Sequence, residues 1–208
     1  PEARSQSPVV GARGRRARLV RTRDGVRVFL ESVLRPGHER ALYSTRRRIG
    51  SRLMETHVRT PQDVFMQPQH LVVPPFQRPY VWEKDEQWAP LWQDVRRLAE
   101  LRLAQPAADA KHFLGAIVVQ AQEPILGGLQ ASSIIDGQQR LTTLQLLMDA
   151  AAATLEEAGH DALAGQLGRL THNEDIYVPG AGTRLKVRHS NRDRESFDEV
   201  MDAEAPVD

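Results

Sequence analysis

The chain has no cysteine among its 208 residues, so it can build neither a disulfide nor a thiolate metal site, and the redox compartment stays open. It also lacks a long apolar run. The longest, Gly115–Val119 and Leu146–Thr154, fall well short of the ~20 residues that span a bilayer as a helix. No charged-then-apolar leader opens the chain, so a cytoplasmic protein with no membrane partner is expected. The seven histidines are scattered, without an H-E-x-x-H or a close pair on one helix face, and no metal set is expected from them. His172-Asn173 alone is too little for a nuclease motif. Asp193, Glu195, Asp198 and Glu199 read as a solvated helix face, and no spacing argues for a Ser/His/Asp arrangement.

Lysine is missing from residues 1–53, which hold fourteen arginines against four acids (Glu2, Asp24, Glu31, Glu39), a balance of +10. The other 155 residues hold fourteen Lys+Arg against twenty-three Asp+Glu, a balance of −9. Such a split can mark a basic nucleic-acid arm on an acidic body. A plainer reading is preferred: arginine in place of lysine, with abundant alanine, fits spurious translation upstream of a gene in a GC-rich genome. On that reading residues 1–53 are non-native or disordered. A third reading is a structured extension, with Val26–Leu34 as a strand or helix. Met54 opens the first well-patterned stretch, so a domain over 54–208 is expected, truncated at its C-terminus because Ala205-Pro206-Val207-Asp208 has no closing logic.

Within that domain, Thr60-Pro61-Gln62-Asp63 has the form of a helix start, with Thr60 as N-cap, Pro61 at the first position and Pro68 ending the element. Leu71-Val72-Val73 reads as a strand. The prolines of Pro75-Phe76-Gln77-Arg78-Pro79-Tyr80-Val81-Trp82 keep that stretch extended. Lys84 to about Gln105 has helical spacing through Trp88, Leu91, Trp92, Val95 and Leu98, with Pro90 marking the true start. Phe113–Val119 reads as a buried strand returning through a turn at Pro124–Gly128 into Leu129–Ile135. Beyond Asp136-Gly137 the period becomes helical, with an apolar stripe of Leu141, Leu144, Leu147, Met148, Ala151 and Leu155, closed by Gly159. A helix at Ala162–Leu170, a loop through Pro179–Gly182, a strand at Arg184–Arg188 and a helix at Arg194–Met201 complete an α/β pattern.

Two constellations carry chemistry. A strand, an Asp-Gly turn and a helix start form an anion trap, because the first helical turn has unpaired N–H groups at the positive end of its dipole. Gly137 allows close approach to a ligand. Gln138 and Gln139 offer amide donors, Arg140 a planar fork for two phosphate oxygens, and Thr142 and Thr143 hydroxyls for phosphate or a metal-bound water. The rival reading is a capped helix with a polar first turn and Arg140 in a surface ion pair. The motif lacks the Lys-Ser/Thr of a P-loop. The second constellation is Gln77-Arg78, with Arg78 on phosphate and Tyr80 or Phe76 against base or sugar. Its rival makes Phe76, Tyr80 and Trp82 core anchors.

Taken in order, Val73–Trp82, Leu91-Trp92-Gln93-Asp94-Val95, Phe113–Val118 and Ile135-Asp136-Gly137-Gln138-Gln139-Arg140-Leu141-Thr142-Thr143-Leu144 resemble the N-terminal domain of GmrSD-type restriction endonucleases, the D-G-Q-Q-R family. The likeness covers about residues 56–202, with a weaker block at Leu185-Lys186-Val187 and Asp193–Phe197. It implies a ParB/sulfiredoxin-like fold with a small mixed sheet and flanking helices. It also implies nucleoside-triphosphate binding and hydrolysis, with Mg²⁺, coupled to sensing modified DNA. Gly137 and Arg140 would then form the phosphate turn and Gln77-Arg78 the preceding arm. Asp136, Gln139 and Arg140 would be the catalytic residues, Asp136 positioning a metal-bound water or orienting Arg140. Gln77, Arg78, Tyr80, Gly137, Gln138, Thr142 and Thr143 would bind the nucleotide. Cleavage is expected from an HNH nuclease domain or subunit, in cis or in trans, which nothing in these residues matches. The alternatives are a non-hydrolytic DNA-binding module using the same arginines and an inactive gene fragment.

Overall fold

The computed structural model describes residues 26–29, 47–49, 52–109, 111–124, 127–178, 182–190 and 192–203. The basic stretch 1–25, Leu30–Leu34, residues 125–126, Pro179–Ala181 and the terminal 204–208 lie outside the described residues.

The centre is a mixed sheet. Strand β4 (Gln69–Val73) runs parallel to β6 (Gln130–Asp136) on one side and to β7 (Val187–His189) on the other, while β5 (Ile117–Ala121) pairs antiparallel with β6. Three strands lie upstream of the helical part. β1 (Val26–Phe29) pairs antiparallel with β5, β3 (Arg52–His57) runs parallel to β1, and β2 (Arg47–Ile49) pairs with β3, giving the order β2-β3-β1-β5-β6-β4-β7. Met54 lies within β3.

Helix α1 (Pro61–Phe65) has the expected start. The Thr60 hydroxyl accepts from Asp63 N at 3.1 Å, and Asp63 Oδ2 accepts from Thr60 N at 2.9 Å, a reciprocal box that satisfies two otherwise unpaired donors. Thr60 N–H and then the Thr60 hydroxyl, which donates to Asp63 Oδ2 at 2.8 Å, hold the Asp63 carboxyl below its usual pKa. Lys84–Trp88 forms a single wide turn that feeds α2 (Ala89–Ala104), with Pro90 in its first turn where no N–H is needed. No side chain of α2 is fully buried.

The long helix α3 (Gln138–Glu157) lies against α4 (Asp161–Thr171), and α5 (Arg194–Asp202) packs beside β7. The core joins Val64 and Phe65 of α1, Leu71 and Val73 of β4, Ile134 of β6, Leu141 of α3, Val187 of β7, and Phe197 and Met201 of α5. Asn173 is buried because its amide completes the sheet edge: it accepts from Gln69 N at 3.1 Å and donates to Gln69 O at 3.0 Å.

Two expectations need correction. The strand begins at Ile117, not Phe113, because Gly115 takes φ +104° and turns the chain out of the ladder, leaving Phe113 51 % exposed. The predicted apolar stripe is not what the N-terminal half of α3 buries. Gln138, Gln139, Thr142, Thr143 and Gln145 are buried there with Leu141, and the reason lies in the site.

Candidate functional site

Strand β6 ends at Asp136, and Gly137 reverses the chain into α3 with φ +95° and no side-chain cap on the helix. The first N–H groups of α3 thus have neither an intrahelical partner nor a capping oxygen, the condition under which a helix start attracts an anion. A side chain at Gly137 would be strained by the positive φ and crowded by its neighbours. A Cβ there would lie 3.0 Å from Ile117 Cγ1 and 3.2 Å from Arg140 Nη2.

Arg140 folds back along the start of its own helix instead of reaching solvent. Its Nη2 donates to Ala116 O and stands 4.0 Å from Asp136 Oδ2, while Asp136 Oδ1 accepts from Gly137 N at 2.9 Å. The guanidinium lies against Gly115, where a Cβ would meet three of its atoms at 3.1 to 3.3 Å. Two residues without side chains, Gly115 and Gly137, therefore form the cradle that fixes the fork. Its Nε is buried with no partner among the described residues.

The extended arm 74–82 belongs to no strand, so its backbone polar groups need partners other than a sheet ladder. The glutamines of α3 supply several, and Gln77 ties the arm to β6. Gln138 Nε2 donates to Arg78 O at 2.8 Å, while Gln77 Nε2 donates to Ile135 O at 3.0 Å. Gln139 engages both sides of its amide, donating to Pro79 O and accepting from Val81 N, each at 2.9 Å, as a neighbouring strand would. Asp193 Oδ2 accepts from Tyr80 N at 2.7 Å. The Thr143 hydroxyl donates to Gln139 O at 2.8 Å, so the Tyr80 hydroxyl, 2.7 Å away, donates to Thr143. Burial pushes the Tyr80 phenol up from its ordinary pKa, which keeps that donor protonated. Thr142 instead meets His189 Nε2 at 3.0 Å, and the His189 ring packs on Phe197.

Arm and turn enclose a small cavity of about 110 Å³, walled by Gln77, Arg78, Trp82, Asp136, Gly137, Gln138, Gln139 and Arg140. Gln138 is 6 % exposed, and its Oε1 has no donor among the described residues. Trp82 and Arg140 also border a second chamber of about 200 Å³ with Gln87, Leu91, Asp94, His112, Leu114 and Leu144.

The structure thus brings Gln77, Arg78, Asp136, Gly137, Gln138, Gln139 and Arg140 together, but in two roles. All seven edge the cavity, and the amides of Gln77, Gln138 and Gln139 also tie the arm to β6 and α3. Thr142, Thr143 and Tyr80 are not on the cavity wall; their hydroxyls bond to His189, Gln139 and one another behind it. Phe76 is 77 % exposed and anchors no core. Sequence reasoning missed Gly115, Asp193, Asp94 and His112. Gly115 carried a usable signal, since a glycine inside a β-branched run marks a bulge or a close approach. Among the described residues no group of three His, Cys, Asp or Glu is placed to hold a metal ion, and no helix is long and apolar enough to cross a membrane.

An arginine cradled on glycines at an uncapped helix start, faced by a side-chain-tethered arm, defines a mixed α/β domain with a built-in polar site. The family model for the GmrSD restriction endonuclease N-terminal domain matches residues 62–208, and the chain belongs to that family. No curated protein sequence matches it.

Proposed function

We propose that this domain is the nucleotide-binding and hydrolysing sensor of a DNA-restriction (phage-defence) protein, responding to modified DNA, with the Gly137 turn holding a phosphate. The reading is carried by Arg140, a planar fork held part-buried (28 % exposed side chain) over the helix start, with one N–H unpartnered. Arg78 at the rim supplies a second positive charge. A chamber of about 110 Å³ has room for a phosphate group rather than for a whole nucleotide, which agrees with a ParB-like phosphate turn.

The donor set suits a metal that arrives with its substrate. Mg²⁺ is commonly held by one or two carboxylates plus phosphate oxygens, and it neutralises charge on the triphosphate. Asp136 is the carboxylate on the cavity wall: Gly137 N–H holds one oxygen, and the other stands 4.0 Å from Arg140 Nη2. The unpaired Gln138 Oε1 calls for a hydrogen-bond donor, which water at the site would supply. In this reading Gln139 positions the arm, while Asp136 orients the attacking water and Arg140. The nuclease acting on DNA would be an HNH domain or subunit, in cis or in trans.

Asp136→Asn should leave labelled-nucleotide affinity within about threefold and reduce phosphate release by about 10²-fold or more. Unchanged turnover would remove Asp136 from the chemistry. The rival reading, a DNA-backbone clamp without hydrolysis, is separated by titrating the chain with nucleotide against short duplexes with and without base modification. Binding of duplex alone, abolished by the Arg140 substitution, would establish the rival.

A further inference from the structure

Beside the phosphate cavity lies the chamber of about 200 Å³ that shares Trp82 and Arg140 with it. Its walls are apolar where Leu91, Leu114 and Leu144 form them, and the Trp82 indole stands between the two spaces. An apolar cavity of roughly 150 Å³ accepts a benzene ring, so this one has the size for a larger flat heterocycle. Gln87, Asp94, His112 and Arg140 interrupt the apolar lining. Asp94 of α2 accepts from Arg97 Nη2 at 3.2 Å, and its other oxygen is 3.4 Å from His112 Nδ1. A carboxylate has about four lone-pair sites and no donor. With one neighbour on each oxygen, it can still accept two further N–H groups.

Resting on the phosphate reading of the Gly137 turn, we propose that this chamber receives the base of the bound nucleotide and that Asp94 selects guanine. Guanine offers its ring N–H and its exocyclic amine side by side, matching the two oxygens of one carboxylate as a guanidinium does. Adenine would set an unprotonated ring nitrogen against the same charge, and uracil offers a single ring N–H. The leucines and Trp82 take the purine faces. Selection is then a difference of hydrogen bonds at one edge, and an analogue lacking them leaves the carboxylate facing a mismatched group.

The test measures binding of GTP, ITP, ATP, UTP, XTP and inorganic tripolyphosphate to the full chain by calorimetry with Mg²⁺. The expected order is GTP tightest, ITP weaker for want of the exocyclic amine, and ATP at least about tenfold weaker than GTP. Asp94→Asn should erase the preference for GTP and improve XTP, whose second carbonyl can accept from the new amide. Leu144→Trp, which fills the chamber, should weaken GTP but leave tripolyphosphate binding unchanged. If every triphosphate binds as tightly as tripolyphosphate, or if ATP and GTP bind alike, the base assignment is wrong while the phosphate turn stands. If neither tripolyphosphate nor any nucleotide binds, the phosphate reading falls and takes this assignment with it. Displacement of labelled GTP by a short DNA duplex at equimolar sites would put a DNA base in the chamber and overturn the proposal. The comparison of natural triphosphates needs no variant, so misfolding of Asp94→Asn cannot hide the answer.

Discussion

Gly115 and Gly137 show how much of a charged site is set by residues with no side chain. Each sits at positive φ, and each would push a Cβ within 3.2 Å of the Arg140 fork. Alanine at either position meets two costs, backbone strain of about 1–3 kcal/mol and displacement of the guanidinium. Gly115→Ala should therefore weaken nucleotide binding by about tenfold or more, although residue 115 is expected to touch no ligand, and should lower the melting temperature as well. Unchanged affinity in a folded Gly115→Ala chain would separate the cradle from the site. Gln139 offers a contrasting case. Gln139→Glu keeps the acceptor for Val81 N but turns the donor for Pro79 O into a second oxygen. An unsatisfied buried group of that kind costs about 1–3 kcal/mol. The expected result is a measurable loss of stability with a looser arm, read as faster amide exchange at Val81. Equal stability would return Gln139 to a role in the chemistry.

At the scale of elements, the helix starts and strand–helix alternation were readable because they rest on local rules. Thr60-Pro61-Gln62-Asp63 forms its capping box from four consecutive residues, and Asp136-Gly137 turns because only glycine tolerates that φ. The extended arm was legible from its prolines. What the arm does to its neighbours was not, because the partners that satisfy it come from Gln138, Gln139 and Asp193, about 60 to 113 residues away. For the same reason the buried face of α3 escaped the apolar-stripe reading. Gln138, Gln139, Thr142 and Thr143 are inside because they have partners there, and hydropathy does not record partners. Thr60→Ala should cost about 1 kcal/mol of stability by removing the cap, and thermal melts of the two chains test it directly.

For the whole molecule, pH and the upstream strands give two further checks. His70 and His172 have pKa values lowered first of all by burial, and nearby Arg188 and Lys186 (for His70) and Arg184 (for His172) add to the effect. A histidine whose folded pKa lies below its unfolded value near 6.5 takes up a proton more readily when unfolded. Its contribution is complete above about pH 6.5 and is lost as pH falls toward the folded pKa. The melting temperature should therefore decline between pH 7.5 and pH 5.5, and His70→Asn should flatten that decline; a flat wild-type profile would contradict the burial assignment. Residues 1–53 include β1, which pairs with Ile117–Gln120 of β5. A chain starting at Met54 should show faster amide exchange along β5 and a bare sheet edge prone to association. Identical protection would mean that the upstream strands are dispensable to the fold. The net charge of +10 on residues 1–53 gave no hint of that pairing, because charge counts do not encode strand register.

The proposed hold of Arg140, cradled on Gly115 and Gly137, on the phosphate of a nucleotide can be put to a single titration. Isothermal calorimetry of the full chain with Mg²⁺ and nucleoside triphosphate should give saturable binding to the wild type. Arg140→Ala should lose it by 10²-fold or more, and Arg140→Lys, which keeps the charge without the fork, should recover only part. The folded state should survive Arg140→Ala at a cost of about 1–2 kcal/mol, since one hydrogen bond, to Ala116 O, and a long contact with Asp136 are lost. Equal affinity for nucleotide in a folded Arg140→Ala chain would contradict the account.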